Sequence, residues 1–132
     1  MTVLESTTIV KKSIDEVYAF LADLNNHEKL MPENISNWSS TKDEAKFTIK
    51  NMAKLALKVS NRVENQEIVI IPSEEAPFPV ELKWNLFVNS DNTTTVTNTI
   101  SAELNMMMKM MAKGPLQKLA DHQTEKLQSL FI

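Results

Sequence analysis

The 132-residue chain has no cysteine and one glycine, and each scarcity removes whole classes of chemistry. Without cysteine there is no disulfide, no thiolate nucleophile and no thiolate metal site, and a reducing compartment suits the sequence. Phosphate-cradling loops, dinucleotide fingerprints and nucleophile elbows need glycine for close backbone approach or positive φ, so a lone Gly114 excludes them. No apolar run approaches the roughly 20 residues that a membrane-crossing helix requires. Residues Met1 to Lys12 lack a cationic stretch followed by an apolar core. The net charge is -3 with no basic cluster, so the electrostatic term that drives binding to nucleic acid or to an anionic membrane is missing. These features are expected of a cytoplasmic protein with no nucleic-acid partner and no integral membrane segment.

What is present is an ordinary globular composition, 42% hydrophobic and 23% charged, in a chain long enough to form one domain over 1–132 and bury about two-thirds of its unfolded surface. Val3 to Val10, rich in Thr, Val and Ile, reads as a first strand. Ser13 followed by Glu16 predicts a capping box, and Val17, Phe20, Leu21 and Leu24 supply the buried spacing of a short helix over about 13–23. A second helical turn is expected before Pro32.

Short strands then follow. Ala45, Phe47 and Ile49 alternate with Lys46, Thr48 and Lys50, and Leu55, Leu57, Val59 and Val63 share one face. Ile68 to Ile71 forms the next strand, and Pro72 to Pro79 reads as an exposed loop. Val80, Leu82, Trp84, Leu86 and Val88 give the cleanest alternation, turned back at Ser90-Asp91-Asn92. The inward register Thr94, Val96, Asn98, Ile100, Ala102 is expected to continue through Leu104 and Met106.

Residues Glu103 to Phe131 are the most informative. Five methionines in six positions, Met106 to Met108 with Met110 and Met111, lead through Gly114-Pro115, where a kink or break is expected, into an amphipathic helix. Its stripe is Leu116, Leu119, Ala120, Leu127 and Leu130, interrupted by Gln123. Methionine is unbranched and polarizable, so the run makes an adaptable apolar surface that is buried, covers a cavity mouth, or meets a partner.

This order, with Ile14-Asp-Glu-Val-Tyr-Ala-Phe-Leu-Ala-Asp-Leu24 and then Leu30-Met31-Pro32, resembles the START-like superfamily, also called SRPBCC or the polyketide cyclase and lipid transport group. Ser13, Val17, Phe20, Leu21, Asp23 and Pro32 occupy the places of its early signature, while Leu30-Met31 stands where that signature often has tryptophan. The resemblance implies an α+β helix-grip fold: about seven antiparallel strands curled around a long C-terminal helix, with two short helices after the first strand and an apolar cavity between sheet and helix.

The implied function is binding or transport of a small hydrophobic molecule such as a lipid, quinone or polyketide-like compound. Candidate wall residues are Trp38 and Phe47, then Leu57, Val59 and Asn61, then Trp84, Leu86, Asn98, Ile100 and Leu104 from the long hairpin. Met107, Met110, Met111 and Leu119 come from the helix, and Phe87 is a further aromatic candidate. Each also suits a plain core role. Asn61 and Asn98 fall in inward registers, where an amide needs a partner. Glu5 has an ambiguous register.

His27, in the polar Asn25 to Glu28 stretch, and His122, beside Asp121 and Glu125, are read as solvated; with no ligand spacing around them, neither metal nor cofactor is expected. Glu64, Glu67, Glu74 and Glu75 form a solvated rim. Two alternatives stay open: a cyclase- or hydrolase-like enzyme on an apolar substrate, for which no acid–base pair is visible, and a co-chaperone-like module with a protein partner at Met106 to Met111.

Overall fold

The structure, a computed structural model, describes residues 1–131. Strand β1 (Thr2–Val10) is followed by helix α1 (Ile14–Leu21) and a 3-10 helix (Leu24–Leu30). Six strands come next: β2 (Ile35–Ser40), β3 (Glu44–Ile49), β4 (Ala53–Val63), β5 (Glu67–Pro72), β6 (Val80–Val88) and β7 (Thr94–Ala102). Helix α2 (Met106–Leu130) ends the fold. The strands form one curled antiparallel sheet in the order β1-β7-β6-β5-β4-β3-β2. Among the described residues no helix is long and apolar enough to cross a membrane.

Period-2 alternation sets the sheet's faces. On β1, Leu4 and Val10 point inward and Glu5 outward, which resolves its register. On β7, Thr94, Val96, Asn98, Ile100 and Ala102 are all buried. That register ends at Ala102. Asn105 then caps α2, its side chain accepting from the Met108 N–H at 2.8 Å, so Met106 starts a helix instead of extending a strand.

Turns in this chain cannot lean on glycine. Asn51, Asn65 and Asn92 at turns, and Asn37 at the register shift within β2, take the left-handed conformation, with φ of 63°, 59°, 64° and 56°. Asparagine tolerates that region best among non-glycine residues because its short amide bonds locally. Gly114 lies inside α2.

Helix α2 runs through Pro115, where a kink or break was expected, and the chain does not break there. Proline has no N–H, so the Met111 carbonyl lacks its usual partner four residues on and the first two turns are tied less firmly to the rest. Beyond Pro115 the helix follows edge strand β1. Gln117 Nε2 donates to the Glu5 carbonyl at 3.1 Å, Gln128 Nε2 to the Ile9 carbonyl at 3.3 Å, and the Ser6 and Thr124 hydroxyls bond at 2.7 Å. These contacts cover backbone groups that an open edge would expose. Leu116, Leu119, Ala120, Gln123, Thr124 and Leu127 are buried, whereas Leu130 is exposed.

Two further expectations are corrected. Ser13 precedes α1 but its hydroxyl makes no cap bond; only its carbonyl accepts, from the Val17 N–H, so no capping box forms. On β4 the register shifts between Val59 and Asn61, placing Asn61 opposite Val69 and Arg62 opposite Ile68. This bulge turns Asn61 out to solvent and brings Arg62 to the core side. The Arg62 guanidinium donates to the Ala22 carbonyl at 3.0 and 2.8 Å and to the Lys42 carbonyl at 3.1 Å, and pairs with Asp43 at 2.8 Å. It ties the end of α1 to the sheet.

Candidate ligand cavity and its mouth

Inside the curl, a cavity of about 30 Å³ is bounded by Leu24, His27 and Met31 from the 3-10 segment, Trp38, Ala45, Phe47, Leu57, Ile70, Leu82 and Trp84 from the sheet, and Leu119 and Gln123 from α2. Trp38 stacks on Phe47 with ring centroids 5.3 Å apart, and its indole N–H donates to Ser40 Oγ at 2.9 Å. Space on this scale holds about one water. Side chains fill the rest.

The 3-10 helix puts a polar group into this wall. At three residues per turn Leu24, His27 and Leu30 share one face, and all three are buried. His27 is therefore interior, against the expectation of a solvated residue. Its Nε2–H donates to the Leu21 carbonyl at 2.8 Å, and its ring meets Trp84 edge-on with centroids 5.8 Å apart. Burial pushes its pKa below the ordinary 6.5, outweighing the opposing effects of the Leu21 carbonyl and of Asp23. His27 is thus a neutral imidazole at physiological pH.

Across the cavity, Gln123 receives a hydrogen bond from Asn98 Nδ2 at 2.7 Å, both residues being buried. Gln123 Nε2 faces the Met31 sulfur at 3.8 Å.

At the end of the sheet where α2 begins, a groove of about 320 Å³ opens to solvent between the β3–β4 turn, the β5–β6 loop and the first turns of α2. Ile49, Met52, Phe78, Met108, Met111, Ala112 and Pro115 make its apolar wall, and Asn34, Lys50, Asn51 and Pro77 its rim. Phe78 is buried although its loop reads as exposed. It packs with Leu4, Ile100, Leu116 and Ala120 in a hydrophobic cluster against which Met31, Met52 and Met108 also rest.

Several solved structures share this architecture. Protein XoxI from Bacillus cereus superposes with a TM-score of 0.79 at 13% identity, over 99% of this chain and 96% of that one. A START superfamily protein from Mycobacterium smegmatis gives 0.72 at 14% identity, over 98% and 96%. This chain shares the fold of that START superfamily protein. A protein from Thermus thermophilus gives 0.70 at 15% identity, over 97% and 92%. No protein-family model and no curated protein matches the sequence. At these identities the likeness concerns the START-like fold alone.

Within that fold Trp38, Phe47, Leu57, Trp84 and Leu119 come together around the inner cavity. Leu86 and Ile100 are buried core residues outside its wall, and Val59 and Leu104 are half-buried. Asn98 stands behind Gln123, while Asn61 and Phe87 face solvent. The methionines divide. Met108 and Met111 line the mouth groove, whereas Met107 and Met110, 72% and 83% exposed, lie outside both walls. The sequence pattern marks Leu24 as core and His27 as solvated, and gives no site role to Met31 or Phe78. The spacing of 24, 27 and 30 was the available signal for the first two, and Phe78 gave none between its two prolines.

Proposed function

We propose that this START-like domain binds a small hydrophobic molecule, of the lipid, quinone or polyketide-like class, entering through the mouth groove. The observation that carries this is the groove itself: a concave apolar surface of about 320 Å³ built from three separate segments. Small-molecule sites begin at about that size and combine apolar walls with a few polar groups. The adjoining interior is closed around about 30 Å³, so deeper entry requires side chains to move. Flexible thioethers line the route, Met108 and Met111 at the groove and Met31 at the cavity. The interrupted hydrogen-bond ladder at Pro115 lets the first turns of α2 yield as a lid.

Native mass spectrometry of the freshly purified protein, followed by denaturing extraction and a panel of long-chain alcohols, fatty acids and quinones, tests this. A molecule bound one to one supports the reading. A protein that carries nothing and takes up none of the panel overturns it.

A second reading rests on the exposure of Met106, Met107, Met110 and Met111, which together present an apolar patch on α2. Such a patch fits a protein-docking surface. Sedimentation at increasing concentration, with Met107 and Met110 replaced by lysine as the control, separates docking from ligand capture.

A further inference from the structure

We propose that the Asn98–Gln123 amide pair recognises a neutral hydroxyl group on an otherwise apolar ligand, an inference that rests on the binding reading above. Asn98 sits at the centre of β7, opposite Trp84 on β6 and Ser6 on β1, and is wholly buried. Its Nδ2 donates to Gln123 Oε1 at 2.7 Å, which leaves Oδ1 as the free end of the amide. Among the described residues Oδ1 is the sole buried side-chain oxygen or nitrogen without a hydrogen-bond partner. A carbonyl oxygen left so costs free energy, and native structures seldom keep one without a use.

Gln123 has the complementary shortfall. Its Oε1 is taken, and its Nε2 has only the Met31 thioether at 3.8 Å, a weak acceptor. The pair therefore presents one unused acceptor and one poorly used donor. A hydroxyl supplies both complements: its O–H donates to Asn98 Oδ1, and its oxygen accepts from Gln123 Nε2 in place of the sulfur.

Met31 belongs both to the inner cavity wall and to the residues that rest on the hydrophobic cluster containing Phe78 and Leu116, so its movement is the step that opens a way from the mouth to the amides. No lysine, arginine or acidic residue lines the cavity, and His27 there is neutral. A charged head group would be buried unpaired, so the ligand class is a long-chain or polycyclic alcohol or phenol.

The isomers 1-decanol and 1-methoxynonane, which share every atom type and count but differ in having or lacking an O–H donor, test this by calorimetric titration. The unmodified protein is expected to bind the alcohol about tenfold more tightly than the ether. In the double variant Asn98→Leu/Gln123→Leu that preference should fall to within twofold. Equal affinities in the unmodified protein overturn the hydroxyl site and leave the binding reading standing. Binding of neither isomer overturns the hydroxyl site, and the binding reading falls with it only if the fatty-acid and quinone panel also fails. A preference that persists in a folded double variant overturns the assignment to these residues. The isomer comparison uses the unmodified protein, so it stands whether or not the variant folds.

Discussion

Met111 and Met107 offer a controlled test of where the ligand sits. They lie on the same segment of α2 with near-equal exposure, 71% and 72%, yet only Met111 belongs to the groove wall. Fully burying a methionine side chain is worth about 1.5–3 kcal/mol, and a molecule lying in a groove covers roughly half of it. Met111→Ser should therefore cost about 1.1 kcal/mol of binding, roughly a sixfold loss of affinity for 1-decanol. Met107→Ser should change affinity less than twofold. Both positions are exposed, so neither substitution should alter stability by more than about 0.5 kcal/mol, which a thermal melt checks. Displacement of an environment-sensitive dye by 1-decanol supplies the affinities. Equal losses at the two positions, or none at Met111, would refute the placement of the site.

Because burial holds the folded pKa of His27 below 6.5, the unfolded chain binds more protons once the pH falls below about 6.5. The His27 contribution is complete above that pH and shrinks below it, with a limiting slope of about 1.4 kcal/mol per pH unit. Urea unfolding between pH 7.5 and 5 should show this decline, and His27→Leu should flatten it. Arg62→Leu strips the Ala22 and Lys42 carbonyls of their donor and leaves Asp43 without its ion pair. A stability loss of about 2 kcal/mol is expected in chemical denaturation; a loss under about 0.5 kcal/mol would contradict the tethering role. Asn105→Ala removes the cap of α2 at a cost of about 1 kcal/mol. Amide exchange at Met108 and Lys109 should accelerate while Leu119 and Ala120 stay protected; unchanged rates at Met108 would show that the cap is dispensable.

The sheet and the last helix were legible in the sequence because their periods are unmixed. The alternation at Val80 to Leu86 and Thr94 to Ala102 fixes two central strands, and Leu116, Leu119, Ala120 and Leu127 fix the buried side of α2. What escaped was set by single irregularities. One extra residue near Ser60 exchanges the faces of Asn61 and Arg62, and nothing local in Val59-Ser60-Asn61 announces it. His27 looks solvated among Asn25, Asn26 and Glu28 when read at an α-helical period, and becomes buried only at the tighter period of three. The methionine run divides because Asn105 starts the helix early, and its phase then sends Met108 and Met111 to the groove and Met107 and Met110 elsewhere. Asn98 was recognised as inward, but its pairing with Gln123 joins residues on β7 and α2 that no local pattern connects.

Whether the mouth groove takes up an apolar molecule is tested most directly by titrating the isotope-labelled protein with 1-decanol and following its amides by two-dimensional NMR. Saturable shifts are expected at Ile49 to Met52, Phe78 and Met108 to Ala112, the segments that form the apolar wall of the groove. Shifts that never saturate, or that gather on the outer face around Phe87 while those segments stay still, would contradict binding there.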